Sequence, residues 1–187
     1  MVSSEAFILT KNRIIQKAMN LFGELKQDYD QVLQGKELPA GTASAKISKG
    51  ENYEGFPWIM LDHPRYFSKE EVMAIRSFFW WGHFFSITLQ LAGKPKKDAE
   101  KMLLDRFKKL RKAGAYLCVN EDPWLHDMGK KNYHSLRKMD RKEYSELILS
   151  KPWIKLSFCI KLKNWERSRE KMVQCYEQFS AFLNPKL

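Results

Sequence analysis

Cysteine is too scarce and too scattered to carry structure. Cys118, Cys159 and Cys175 form an odd set with no CxxC pair, which excludes a disulfide framework and a zinc site built on thiolates alone. Reduced thiols in a reducing cytoplasm are the plain expectation. Long apolar runs are missing as well. The only early one covers residues 6–9, so no signal peptide is expected. The longest uncharged stretch, residues 77–93, is broken by His83, Ser86, Thr88 and Gln90 and alternates from Phe85 onward. That pattern reads as a strand and excludes a transmembrane span. The chain also lacks GxSxG, HExxH, a Walker A loop and GxGxxG, so no familiar nucleophile, zinc or nucleotide motif points to an enzyme.

What is present argues for a globular fold. An apolar content of 44% and a charged content of 29% are ordinary for a packed domain and argue against disorder. At 187 residues the chain buries enough surface to need no covalent staples. Charge is distributed unevenly. Residues 1–93 carry ten basic and ten acidic side chains, whereas residues 94–187 carry 23 and 12, the whole of the +11 excess. Such asymmetry points to an anionic partner, although lysines also serve simply to solvate helix faces.

Periodicity divides the chain. Ile14, Ala18, Leu21, Leu25, Tyr29 and Val32 mark a long amphipathic helix over residues 11–34, with Thr10 as N-cap and Gly35 as its left-handed end. Residues 38–55 read as a long loop or weak hairpin. A core strand follows at residues 56–61. Ser68 with Glu71 has the form of a capping box opening a short helix. The aromatic block of residues 78–85 reads as one strand that runs on to Leu91. A helix is expected over residues 96–113, a short strand over 115–119, and a partly helical excursion over 120–139. Asp140 and Glu143 make a second capping box for a helix to about Leu149. In residues 153–162, Ile154, Leu156, Phe158, Ile160 and Leu162 alternate with polar residues, which predicts a strand with one buried and one wet face. A last helix spans residues 165–183. The sum is an α+β fold: a mainly antiparallel sheet of about four strands packed with about five helices. Residues 1–187 read as a single globular domain, residues 1–36 laying a helix on an α+β core of residues 56–187.

Three functional readings compete. The aromatic block, apolar on both faces, suggests an aromatic-lined cleft around Trp58, Asp62, His63, Trp81 and His83 that takes a small hydrophobic or planar ligand, with Gly82 allowing close approach. Dense core packing is the plain alternative. This non-catalytic, intracellular and cytoplasmic binding domain is the leading reading. The second is a nucleic-acid-associated protein. Lys97, Lys101, Lys108 and Lys112 share one helix face, and Lys130, Lys131, Arg137 and Lys138 form a second patch with Tyr133 and His134 interleaved. Cations of this kind contact phosphates, and rings stack on unpaired bases. The third is an enzyme with a dispersed site at Asp62, His63 or His126. The pair His126-Asp127 is a dyad of the kind metal phosphohydrolases use, yet the further ligands that class needs are missing. No metal and no cofactor is expected.

Overall fold

The structure is a computed structural model describing residues 5–183. The ends of the expected domain, residues 1–4 and 184–187, lie outside the described residues. Helix α1 (Glu5–Leu33) leads into a run of four strands, β1 (Lys46–Tyr53), β2 (Phe56–Phe67), β3 (Val72–Trp80) and β4 (Phe84–Ala92). Then come α2 (Lys94–Asp105), α3 (Phe107–Ala113), β5 (Tyr116–Cys118), β6 (Tyr133–Ser135), α4 (Arg141–Ser150) and β7 (Trp153–Lys161). A 3-10 helix (Leu162–Arg167) and α5 (Ser168–Ser180) follow. The strands form one antiparallel sheet in the order β1-β2-β3-β4-β7-β5-β6. None of the described helices is long and apolar enough to cross a membrane.

The α+β class and the long first helix are as the sequence predicts, but the sheet has seven strands rather than about four. Three of them leave little trace in the sequence. β1 lies in the expected loop of residues 38–55. β3 replaces the short helix expected after Ser68. There the Glu71 N–H does donate to Ser68 Oγ at 3.0 Å, but the Ser68 N–H donates to the Glu71 carbonyl, and the pair closes the β2–β3 hairpin instead of capping a helix. β6 has three residues and sits in an excursion that contains no helix. The aromatic block is two strands rather than one: the chain reverses at Trp81, Gly82 and His83, with Gly82 at φ 75°. The helix expected over residues 96–113 breaks at Arg106. Thr10 lies inside α1, its hydroxyl donating to the Ala6 carbonyl. The Asp140 cap forms as predicted, its carboxylate accepting from the Glu143 N–H at 2.9 Å.

One sheet face carries the main core. Ile59, Leu61, Ile75, Phe79, Phe85, Ile87, Leu89, Leu156 and Phe158 point toward the helices and meet Phe22, Leu25, Leu103, Tyr144, Met172 and Phe179. Period-2 alternation on the strands and period-3.6 spacing on the helices deliver these side chains to one layer. Alternation predicts that the opposite face is wet along β7. That holds only at its end, where Cys159 is half-buried and Lys161 exposed; Lys155 is 1% exposed and Ser157 fully buried. Residues 119–132 cross this face as a strap and exclude water. Lys151 Nζ holds the strap by donating to the carbonyls of Val119 and Asn120 (2.9 and 2.7 Å), and Tyr53 Oη accepts from the His126 N–H at 2.8 Å.

Candidate functional site

The covered face splits into an apolar end and a polar middle. At the apolar end Met60, Phe78, Trp80 and Phe84 form a small core of their own, flanked by Tyr53, Trp58 and Met128. The polar middle runs across the strands in register: Asp62 faces Arg76, Arg76 faces Thr88, Thr88 faces Ser157, Ser157 faces Tyr116, and Tyr116 faces Ser135. A second row sets Gln90 beside Lys155. Burying polar side chains is unfavourable unless they find partners, and most of these do. Arg76 donates to Asp62 at 2.7 Å, Thr88 and Ser157 share a hydrogen bond at 3.0 Å, and the Tyr133 hydroxyl reaches Thr88.

Lys155 is different. Its ammonium donates to the Leu125 carbonyl of the strap and lies 5.4 Å from the Tyr133 ring centre, and no carboxylate lies within ion-pair distance among the described residues. Burial pushes its pKa down to about 8. Burial, with the charges of Arg76 and Lys155, likewise drives His126 down to about 3, so this imidazole is neutral. Arg76 stacks near the exposed rings of Phe67 and Trp124 at 5.8 and 5.9 Å. The covered face is therefore a cation-bearing layer.

That layer opens at the sheet edge. Around β5–β6 lies a hollow of about 450 Å³ lined by Tyr116, Met128, Lys130, Tyr133, His134 and Lys138, among others. Two phenol rings line it, that of Tyr133 backed by Lys155, together with the exposed Lys130 and Lys138. His134 faces Glu143 across 3.8 Å. A volume of this size suits a small ligand.

The residues singled out from sequence are not gathered at one point. Trp58 and Asp62 lie on the covered face, with Asp62 committed to Arg76. His63 lies toward the helices, where Asp30 Oδ1 meets its Nε2 at 2.8 Å, and burial lowers its pKa. His83 is exposed at the hairpin and stacks on Trp80 with ring centres 3.7 Å apart. Trp81 shares with Trp58 only a crevice of about 10 Å³, too small for more than a water. Trp58 lies across Gly50, where a Cβ would come within 2.5 Å of its ring nitrogen. Trp81 also borders a hollow of about 330 Å³ with Ile14, Lys17, Phe79 and Trp165. A wide groove between α1 and α5 holds Arg169, whose charge is taken up by Asp28 and Glu24.

Lys97, Lys101, Lys108, Lys112, Lys130, Lys131, Arg137 and Lys138 are all exposed. Arg111 on α3 donates to the Arg137 carbonyl at 3.2 Å, so the two basic patches meet there, one residue from Lys138 of the β5–β6 hollow. Sequence reasoning misses Tyr116, Arg76 and Lys155. The one signal it offers is Lys155 in the alternation of β7, where polarity implies solvent. Among the described residues, no three His, Cys, Asp or Glu side chains converge as metal ligands. No protein family model matches the chain, and no curated protein matches it.

Proposed function

We propose that the protein is a non-catalytic ligand-binding domain that holds a small planar anion, a phosphorylated or carboxylated ring, in the β5–β6 hollow. The observation that carries this reading is the joint lining of one hollow by Tyr116 and Tyr133 and by Lys130 and Lys138. Rings supply a stacking surface, and ammoniums supply the counter-charge. The uncompensated Lys155 behind Tyr133 adds positive potential to the same wall. The aromatic cleft inferred from sequence is thus kept as a kind of site and moved to the opposite edge of the sheet.

Thermal-shift and calorimetric titration with nucleoside monophosphates, aromatic carboxylates and inorganic phosphate tests this. At least one ring-bearing anion should stabilise the protein more than phosphate alone. Lys130→Glu with Lys138→Glu should weaken binding at least tenfold and leave the unliganded melting temperature within a degree or two, because both side chains are exposed. Equal binding by this double variant would remove the proposal.

The meeting of α3 and the β6–α4 turn at Arg111 and Arg137 favours a second reading, in which a single-stranded nucleic acid tracks the basic surface and places one base in the hollow. Its mark is a steep fall of affinity with salt, flattened by reversing Lys108 and Lys112 on α3. A mononucleotide confined to the hollow ignores those two residues.

A further inference from the structure

The two edges of the sheet are built differently. β6 ends one side with three residues, a short edge of the kind that discourages pairing with another chain. β1 ends the other side with eight, and among the described residues its one hydrogen-bonded neighbour in the sheet is β2. An open edge of this length is a template for strand addition unless its side chains forbid it.

The side chains of β1 permit one partner in particular. Read antiparallel against itself about Gly50, β1 places Lys49 of each copy opposite Glu51 of the other, one such contact on either side of the axis. Opposite charges directly across an antiparallel pair stabilise it, and like charges oppose it. Lys49 has no ion-pair partner among the described residues. Lys49 and Glu51 both lie on the helix side, since Lys49 faces Ile59 in register and Glu51 Oε2 takes Lys11 Nζ at 2.8 Å. The mirrored charges therefore sit on the same face, as a two-fold axis through Gly50 requires. The register shift between Gly50 and Tyr53 turns Tyr53 to the covered face, away from the side that Ile47 takes, and confines the mirrored pairing to the residues next to Gly50.

Helix α1 supplies further area at the same place. Its buried stripe begins at Ala18, yet the apolar sequence continues to Phe7, Ile8 and Leu9, which are 62%, 47% and 45% exposed. Lys11 ties this overhang to β1. Two-fold pairing through β1 sets the two α1 helices antiparallel on one face, with their exposed apolar first turns close to the axis, where Lys11 meets Glu51.

We propose that β1 is a homodimer interface: two copies of the chain join through antiparallel β1 strands centred on Gly50, forming one continuous 14-stranded sheet (twice the seven strands of one chain). The partner is a second copy because the charge pattern is complementary to itself.

The test is sedimentation equilibrium of the full chain at about 1–100 µM. The wild type should be dimeric at the upper end. Lys49→Glu alone and Glu51→Lys alone should each shift the protein to monomer, because each sets like charges across both symmetric contacts. Mixing the two single variants should restore the dimer as a heterodimer. One chain then carries acidic side chains at both positions and the other carries basic ones, so opposite charges meet at both contacts. The double variant K49E/E51K should dimerise by itself. Circular dichroism on each variant separates dissociation from unfolding. A monomeric wild type at the highest concentration, single variants that stay dimeric, or a mixture that stays monomeric would overturn the proposal.

Discussion

Lysine is rarely buried without an anionic partner, and the reason shows in Lys155. Desolvation favours the neutral amine and holds its pKa at about 8 against an ordinary 10.5. Below pH 8 the folded protein therefore carries a buried charge that the unfolded chain would carry in water, and this lowers stability. Unfolded lysine binds its proton up to about pH 10.4, so between about pH 8 and 10 the unfolded state holds more protons at this site and stability rises with pH. Lys155→Met keeps the length and removes the charge. At about pH 7 the variant should unfold at equal or higher urea concentration, because replacing a buried charge with a well-packed apolar group is often neutral or stabilising. The wild type should then gain on it by up to about 1.4 kcal/mol per pH unit from about pH 8 to 10. Urea titrations of both proteins at each whole pH unit across that range check the sign. A variant that loses several kcal/mol at neutral pH would make Lys155 a structural strut for the strap.

At the scale of elements, β7 explains both the success and the failure of reading the fold from sequence. Its alternation identifies a strand, and Phe158 is buried on the helix side with its ring 4.9 Å from that of Phe179. Phe158→Ala should cost about 3–5 kcal/mol in a denaturant titration, as expected for a buried aromatic. A loss under about 1 kcal/mol would contradict that packing. Alternation reports only that two faces differ in polarity; whether the polar one meets water depends on what crosses it. Residues 119–132 do so through contacts with Lys151, Tyr53 and Lys155, all far away in sequence. β3 is masked by a local ambiguity, since a serine accepting from the N–H three residues on serves a helix start and a hairpin equally well. β6 is too short to show a period. Lys130, Tyr133, His134 and Lys138 are legible as a basic patch with interleaved rings. Tyr116 is not, because only the pairing of β5 with β6 brings it to the hollow.

Across the whole molecule, the sheet separates two chemistries. Its helix side is almost wholly apolar, with the Asp30–His63 pair and the Tyr29–Ser77 hydrogen bond as local exceptions. Its other side passes from an aromatic end at Trp58 and Trp80 through cationic rows to the β5–β6 edge, where Lys130 and Lys138 line the hollow. Of the two larger hollows with aromatic walls, one lies against Trp81 and Trp165 and the other against Tyr116 and Tyr133. The second has Lys130 and Lys138 in its lining and Lys155 against the Tyr133 ring. The most direct measurement is a nitrogen-resolved NMR titration of the protein with adenosine monophosphate, benzoate and inorganic phosphate as probes. Binding in the β5–β6 hollow should shift the signals of Tyr116, Met128, Tyr133, His134 and Lys138 and leave the indole signals of Trp81 and Trp165 unmoved. Shifts centred on Trp81 and Trp165, or no saturable shift with any ring-bearing anion, would contradict it.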